Sequence, residues 1–146
     1  MATHHSDPQD KKDIAAIYYR EHAAPVDVSM RGISADVYYH GRADSPPNLD
    51  MWRAREDRFR RAMSDITTTV LTQVCEGDLV ATHWILEATH SGRLMDYPPS
   101  GKRIRMQSIC FDRVVDGKVV EHWGVRDLLS VLREIGVVPK FNPQRA

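Results

Sequence analysis

Two short turn signals set the limits on how this chain can fold. Gly77-Asp78 and Asp116-Gly117 each separate long runs rich in Thr, Val and Ile. Gly and Asp tolerate the positive φ that two-residue hairpin turns require, so each pair joins two antiparallel strands. The expected strands are 66–76, 79–90, 102–115 and 118–126. Upstream, the apolar period lengthens to that of a helix. Pro8 to His22 reads as one helix, with Asp7 as cap, Pro8 in the first turn, and a stripe of Ile14, Ile17 and Tyr18. Asn48 to Ser64 reads as a second, with Trp52, Phe59 and Met63 on one side. Between them, 24–34 is ambiguous, and Asp36 to His40 is a short strand ended by Gly41 and the Ser45-Pro-Pro loop. Asp127 to Gly136 closes the chain as a helix, with Asp127 as its cap and Gly136 as its stop. Helices followed by long antiparallel strands indicate an α+β domain, a curved sheet with helices over one face and an internal pocket.

Length and charge narrow the function. A chain of 146 residues suits one domain, expected over 10–138 between loose tails at 1–9 and 139–146. The 20 basic residues are balanced by 20 acidic ones, which argues against a nucleic-acid partner. The basic run from Trp52 to Arg61 is interrupted by Glu56 and Asp57 and reads as the solvated face of a helix. Cys75 and Cys110 share no CxxC spacing and read as reduced core thiols. No histidine or carboxylate group has zinc-ligand spacing, and there is no glycine-rich phosphate loop, so neither metal nor cofactor is expected. No apolar run nears the roughly 20 residues of a membrane span, and Met1 to Asp7 has no hydrophobic signal core. A cytoplasmic location is expected, with His4 and His5 in a loose tail.

The turns also predict which side chains share a face. If Asp116-Gly117 is followed by regular pairing, Phe111 faces His122, Ile109 faces Gly124 and Gln107 faces Arg126. Cys110 then falls on the opposite face from His122, away from a Cys-His pair. Counting from Gly77-Asp78 groups Trp84, Leu86, Ala88 and His90. A bulge in either hairpin would invert such a grouping.

Several segments resemble a known family. Asp36-Val-Tyr-Tyr-His40, Ala62-Met-Ser-Asp65, Glu76-Gly-Asp-Leu-Val80, Ala88-Thr-His-Ser-Gly92 and Pro98-Pro-Ser-Gly-Lys102 occur in an order and spacing continued by Asp116 to Trp123 and Asp127 to Gly136. Together they resemble the SnoaL-like polyketide (ester) cyclases, within the cone fold of nuclear transport factor two and ketosteroid isomerase. The resemblance implies cofactor-free aldol cyclisation of a polyketide ester. It also implies an acidic residue in the last strand, two positions after a histidine. Here the histidine is His122, and the acid's place is held by Gly124, which cannot carry a proton.

His122 is the leading catalytic candidate, because imidazole exchanges a proton near neutral pH. A hydrogen-bonded core histidine is the competing reading. His40 ends a strand where the family often turns a histidine into the cavity, and a plain strand-end histidine is the favoured alternative. Arg126 suits bidentate recognition of a carboxylate or enolate, or an ion pair with Glu121 or Asp127. Tyr18, Trp52, Trp84, Leu86, His90, Gln107, Ile109, Phe111 and Gly124 complete the expected substrate pocket. The reading is a homodimer, paired through the outer sheet face, that performs cofactor-free acid–base chemistry on a small hydrophobic carbonyl or polyketide-like metabolite. A non-catalytic ligand-binding protein and an epoxide-opening hydrolase or cyclase are the rivals. The second needs an inward carboxylate pair that the sequence does not reveal.

Overall fold

The structure, a computed structural model, describes residues 7–41 and 43–139. Its elements run α1 (Pro8–Arg20), α2 (Val26–Ser29), β1 (Ile33–His40), α3 (Leu49–Arg61), β2 (Met63–Glu76), β3 (Leu79–His90), β4 (Arg103–Val115), β5 (Lys118–Arg126) and α4 (Leu128–Glu134). Three helices are capped by side chains that satisfy otherwise unpaired backbone N–H groups. Asp7 accepts from Gln9 N, Asn48 from Met51 N and Asp127 from Ser130 N. Helix α1 therefore begins at Pro8, inside the segment expected to be a loose tail. His4 and His5 lie outside the described residues. Among the described residues, no helix is long and apolar enough to cross a membrane.

The strands form one curved, unclosed sheet in the order β1-β5-β4-β3-β2. Strands β2 to β5 are antiparallel, as the turns predict, while β1 pairs with β5 in parallel. The second hairpin has the expected backbone, with Asp116 at φ 49° and Gly117 at φ 74°. Positive φ at both central residues gives a turn whose twist matches that of the strands.

The pairing after that turn departs from the regular register. Val115 pairs with Lys118 and Val114 with Val119, but Arg113 pairs with Glu121. Val120 is thus an extra residue, a β-bulge, and it reverses the face of every later side chain on β5. Asp112 lies opposite His122, Cys110 opposite Gly124, and Ser108 opposite Arg126. Gln107, Ile109 and Phe111, expected beside His122, instead face outward and are exposed. Cys110 shares the inner face with His122, contrary to the unbulged count.

On β3 the predicted grouping is observed: Trp84, Leu86, Ala88 and His90 are all buried on the inner face. With Tyr18 and Tyr19 of α1, Trp52 and Phe59 of α3, and Val131 of α4, they form the core. The tyrosines and Trp52 fill the concave side of the sheet. That packing determines which inner-face groups remain accessible.

Candidate active site

One inner cross-strand row runs Tyr39–His122–Asp112–Val80 through β1, β5, β4 and β3. Within it, His122 Nδ1 donates to Asp112 Oδ1 at 2.7 Å, and both side chains are almost fully buried. Tyr19 of α1 donates its hydroxyl to the other oxygen, Asp112 Oδ2, at 2.5 Å. Burial alone would lower the His122 pKa. The charge and hydrogen bond of Asp112 outweigh burial and lift it to about 9. Burial and the Asp112 charge both raise Tyr19 well above its ordinary value, so it stays a protonated donor. At neutral pH the group is a fixed imidazolium–carboxylate pair. Trp52 stacks on the imidazole at 4.1 Å between ring centroids, and Tyr39 lies at 5.9 Å.

The other nitrogen of this imidazolium, Nε2, lies toward Gly124 and the Cys110 thiol, and Cys110 also helps to raise the His122 pKa. A Cβ at position 124 would lie 3.0 Å from His122 Nε2 and 3.2 Å from Cys110 Sγ. The missing side chain thus lets the proton-carrying atom and the Cys110 thiol sit closer to β5 than a Cβ would comfortably allow. Strand β1 pairs no further along β5 than Trp123, and Gly124 is exposed although His122 is buried.

A second polar cluster occupies the next row but one. Arg126 donates to Glu56 Oε1 at 2.5 Å and to the Tyr18 hydroxyl at 2.6 Å, with Glu56 fully buried on α3. Burial would raise the Glu56 pKa, but the Arg126 charge outweighs it and holds the carboxyl near 2. His22 Nε2 lies 3.4 Å from Glu56 Oε2 without a hydrogen bond. Burial lowers the His22 pKa to about 3; Glu56 opposes this without overcoming it, so His22 is neutral. Two inward carboxylates therefore exist, which the sequence did not reveal. Each is tied to a cation, and neither is arranged as the free pair that epoxide opening needs.

A cavity of about 760 Å³ opens beyond Arg126. Its lining combines Phe59, Leu94, Met95, Met106 and Leu128 with Arg55, Arg58, Arg61, Arg93 and Arg126. Arg126 is the only lining residue that the sequence reading placed in the pocket. Arg55, Arg58 and Arg61 come from the run expected to be a solvated helix face. Their i, i+3 spacing beside the buried Phe59 was the available signal.

The remaining candidates are placed as follows. Tyr18, Trp52, Trp84 and Leu86 are buried core beside the two polar clusters. His90 is buried, and its Nδ1 accepts from Ser100 N at 3.1 Å, which makes it a strut for the 91–101 loop. His40 points to the outer side, where Nε2 meets Glu121 Oε1 at 2.9 Å and the ring stacks on Trp123 at 4.5 Å. The expectation that His40 faces the cavity is therefore corrected. Among the described residues, no group of three or more His, Cys, Asp or Glu could hold a metal ion.

Comparison with known proteins agrees with this fold. Residues 18–135 match the SnoaL-like polyketide cyclase family. The nogalonic acid methyl ester cyclase of Streptomyces nogalater is 33% identical over 60 residues, 41% of this chain and 45% of that protein. The match thus spans less than half of that curated relative. Among solved structures, IdmH of Streptomyces antibioticus superposes with a TM-score of 0.74 at 31% identity, covering 87% of this chain and 99% of that one. AclR of Streptomyces galilaeus gives 0.84 at 24% identity, covering 95% and 88%; at that identity the likeness shows the fold alone. The chain belongs to the SnoaL-like polyketide cyclase family.

Proposed function

We propose that the protein is a cofactor-independent acid–base enzyme that cyclises or isomerises a hydrophobic, polyketide-like carbonyl compound. The observation that carries this reading is the buried Asp112–His122 pair, whose Nε2 lies against Gly124. A substrate carbonyl seated over Gly124 accepts a hydrogen bond from His122 Nε2–H. As an enolate develops, the imidazolium meets growing negative charge. A charge-assisted hydrogen bond from a buried, pre-oriented imidazolium strengthens at that moment, and the barrier falls. Asp112 holds the ring through Nδ1 and stabilises its charge, and Tyr19 fixes Asp112 in turn. The imidazolium then donates its Nε2 proton where the product requires it and recovers one from solvent.

This assignment changes what Gly124 means. The expected strand carboxylate is absent, and the acid role passes to His122 itself. A protonated His122 is a poor base, and Glu56, held near 2 by Arg126, is too weak a base, so the carbon-bound proton leaves to solvent water as the enolate forms. The substrate must therefore carry an acidic carbon–hydrogen bond beside its carbonyl.

Proton exchange tests the reading without knowledge of the natural substrate. 2-Tetralone, a bicyclic ketone with an acidic benzylic position, is followed by NMR in deuterated buffer. The wild-type protein is expected to accelerate exchange, and His122→Gln to lose about 10²–10⁴-fold of that acceleration. Binding of the ketone without exchange would instead identify a non-catalytic ligand carrier.

A further inference from the structure

The cavity beyond Arg126 has a charge pattern that the acid–base reading does not use. Half of its ten lining residues are arginines, and among the described residues no Asp or Glu lines it. The whole chain is balanced at 20 basic and 20 acidic residues, so this is a local concentration. Two of the five arginines are compensated: Arg126 by Glu56 at 2.5 Å, and Arg93 by Asp96 at 3.7 Å. Arg55 donates to the Tyr39 hydroxyl at 2.6 Å and forms no ion pair among the described residues. Arg58 and Arg61 form no ion pair among the described residues, where Arg53, Arg113 and Arg31 do. Three guanidinium charges thus remain unbalanced around one cavity. The rest of the wall is apolar: Phe59, Leu94, Met95, Met106 and Leu128.

An apolar cavity edged by uncompensated arginines selects a particular ligand chemistry. A neutral hydrocarbon would leave those charges without partners. A multiply charged phosphate would waste the apolar wall. A flat ring system carrying one carboxylate, or one ionised phenol or enol, satisfies both halves, because guanidinium donors form strong bonds to such oxygens. We infer that the cavity lined by Arg55, Arg58 and Arg61 binds the anionic group of a flat, otherwise apolar substrate, and so sets its orientation on β5. The position along the strand fits. Arg126 and His122 project from the same face, with Gly124 between them and roughly 7 Å between successive inward positions. A fused-ring molecule anchored at the cavity can lie across Gly124 and present a carbonyl to His122. This inference rests on the acid–base reading for its outcome, but binding can be measured alone.

The experiment uses two fluorescent probes of nearly equal shape, 8-anilinonaphthalene-1-sulfonate and the uncharged N-phenyl-1-naphthylamine. The wild-type protein is expected to bind the sulfonate at least about tenfold more tightly than the neutral probe. The double variant Arg58→Gln/Arg61→Gln should lose that preference and keep its affinity for the neutral probe. 2-Naphthoate should displace the sulfonate, whereas 2-naphthamide and inorganic phosphate should not. Equal affinity for the two probes, an unchanged preference in the double variant, or displacement by phosphate would each overturn the inference. His122→Gln should leave the preference intact while losing proton exchange. Failure of the anion site and failure of the catalytic assignment therefore give different results.

Discussion

Asp112 and His122 face each other across β4 and β5 with Oδ1 and Nδ1 2.7 Å apart, and they do so because the bulge leaves Val120 out of the pairing. Deleting Val120 should regularise the strand while keeping the Arg113–Glu121 and Asp112–His122 pairs, so His122 should stay inward and proton exchange should survive. Asp112→Asn keeps the shape of the pair but removes the charge that lifts the imidazole. Turnover in that variant should fall, and the remaining activity should lose its alkaline plateau. In the wild-type protein the acid form of His122 persists until pH approaches about 9, so activity that depends on it should decline only there. A rate profile that instead falls near pH 6.5 would show that Asp112 does not hold the proton.

Stability should vary with pH in two opposing ways. The His122 pKa is raised in the fold, so its contribution is complete below about 6.5 and is lost as pH rises through about 9. The His22 pKa is lowered to about 3 by burial, so stability falls as pH drops from about 6.5 toward 3. Glu56, held near 2, adds a further loss below about 4.5. Urea denaturation should therefore show a maximum near pH 6.5. His122→Gln should flatten the alkaline side and leave the acid side. An alkaline slope unchanged in that variant would remove His122 as its source.

The elements were largely legible in the sequence, and the faces only partly so. Turn residues are local chemistry, so Gly77-Asp78 and Asp116-Gly117 located four strands, and Asp127 announced its own capping role. A bulge carries no comparable signal at Val120, yet it turned His122, Gly124 and Arg126 to the face opposite Gln107, Ile109 and Phe111. The same slip hid Asp112 as the partner of His122. Glu56 looked like an interruption in a basic helix, because burial of its charge depends on Arg126 arriving from 70 residues away.

Glu56 and Arg126 should prove costly to separate. Glu56→Gln leaves the Arg126 charge with no full partner at a mostly buried site, and breaking such a pair typically costs about 3–5 kcal/mol. Replacing both, as Glu56→Gln/Arg126→Met, should recover part of that loss. Chemical denaturation of the two single variants and the double variant gives the coupling directly. Strictly additive losses would mean that the pair contributes only through packing.

The outer face of the sheet exposes Val74, Ile109, Phe111 and Val125, with Val125 at 76% exposure. Aligned apolar side chains on a sheet face favour a partner with the same surface, and a two-fold pair of this chain is the simplest such partner. Sedimentation should show a dimer, and Ile109→Lys/Val125→Lys should shift it to monomer without loss of fold. A monomer in the wild-type protein at micromolar concentration would end that reading.

Gly124 offers the sharpest test of the site. Its Cβ position lies 3.0 Å from His122 Nε2, closer than ordinary packing allows but within a few tenths of an ångström of tolerable. Gly124→Ala should therefore fold, with a small shift of His122 or Cys110, and should lose proton exchange because the methyl group occupies the carbonyl's place. Gly124→Asp places a carboxylate against an imidazolium. The new charge is paired rather than orphaned, so this variant should fold as well. Its His122 should titrate still higher than in the wild-type protein, which NMR of the imidazole signals would reveal. Gly124→Leu serves as the steric control, since it adds bulk with no charge and should destabilise the protein. If Gly124→Ala retains full exchange, the carbonyl does not sit over this glycine, and His122 must reach its substrate by another route.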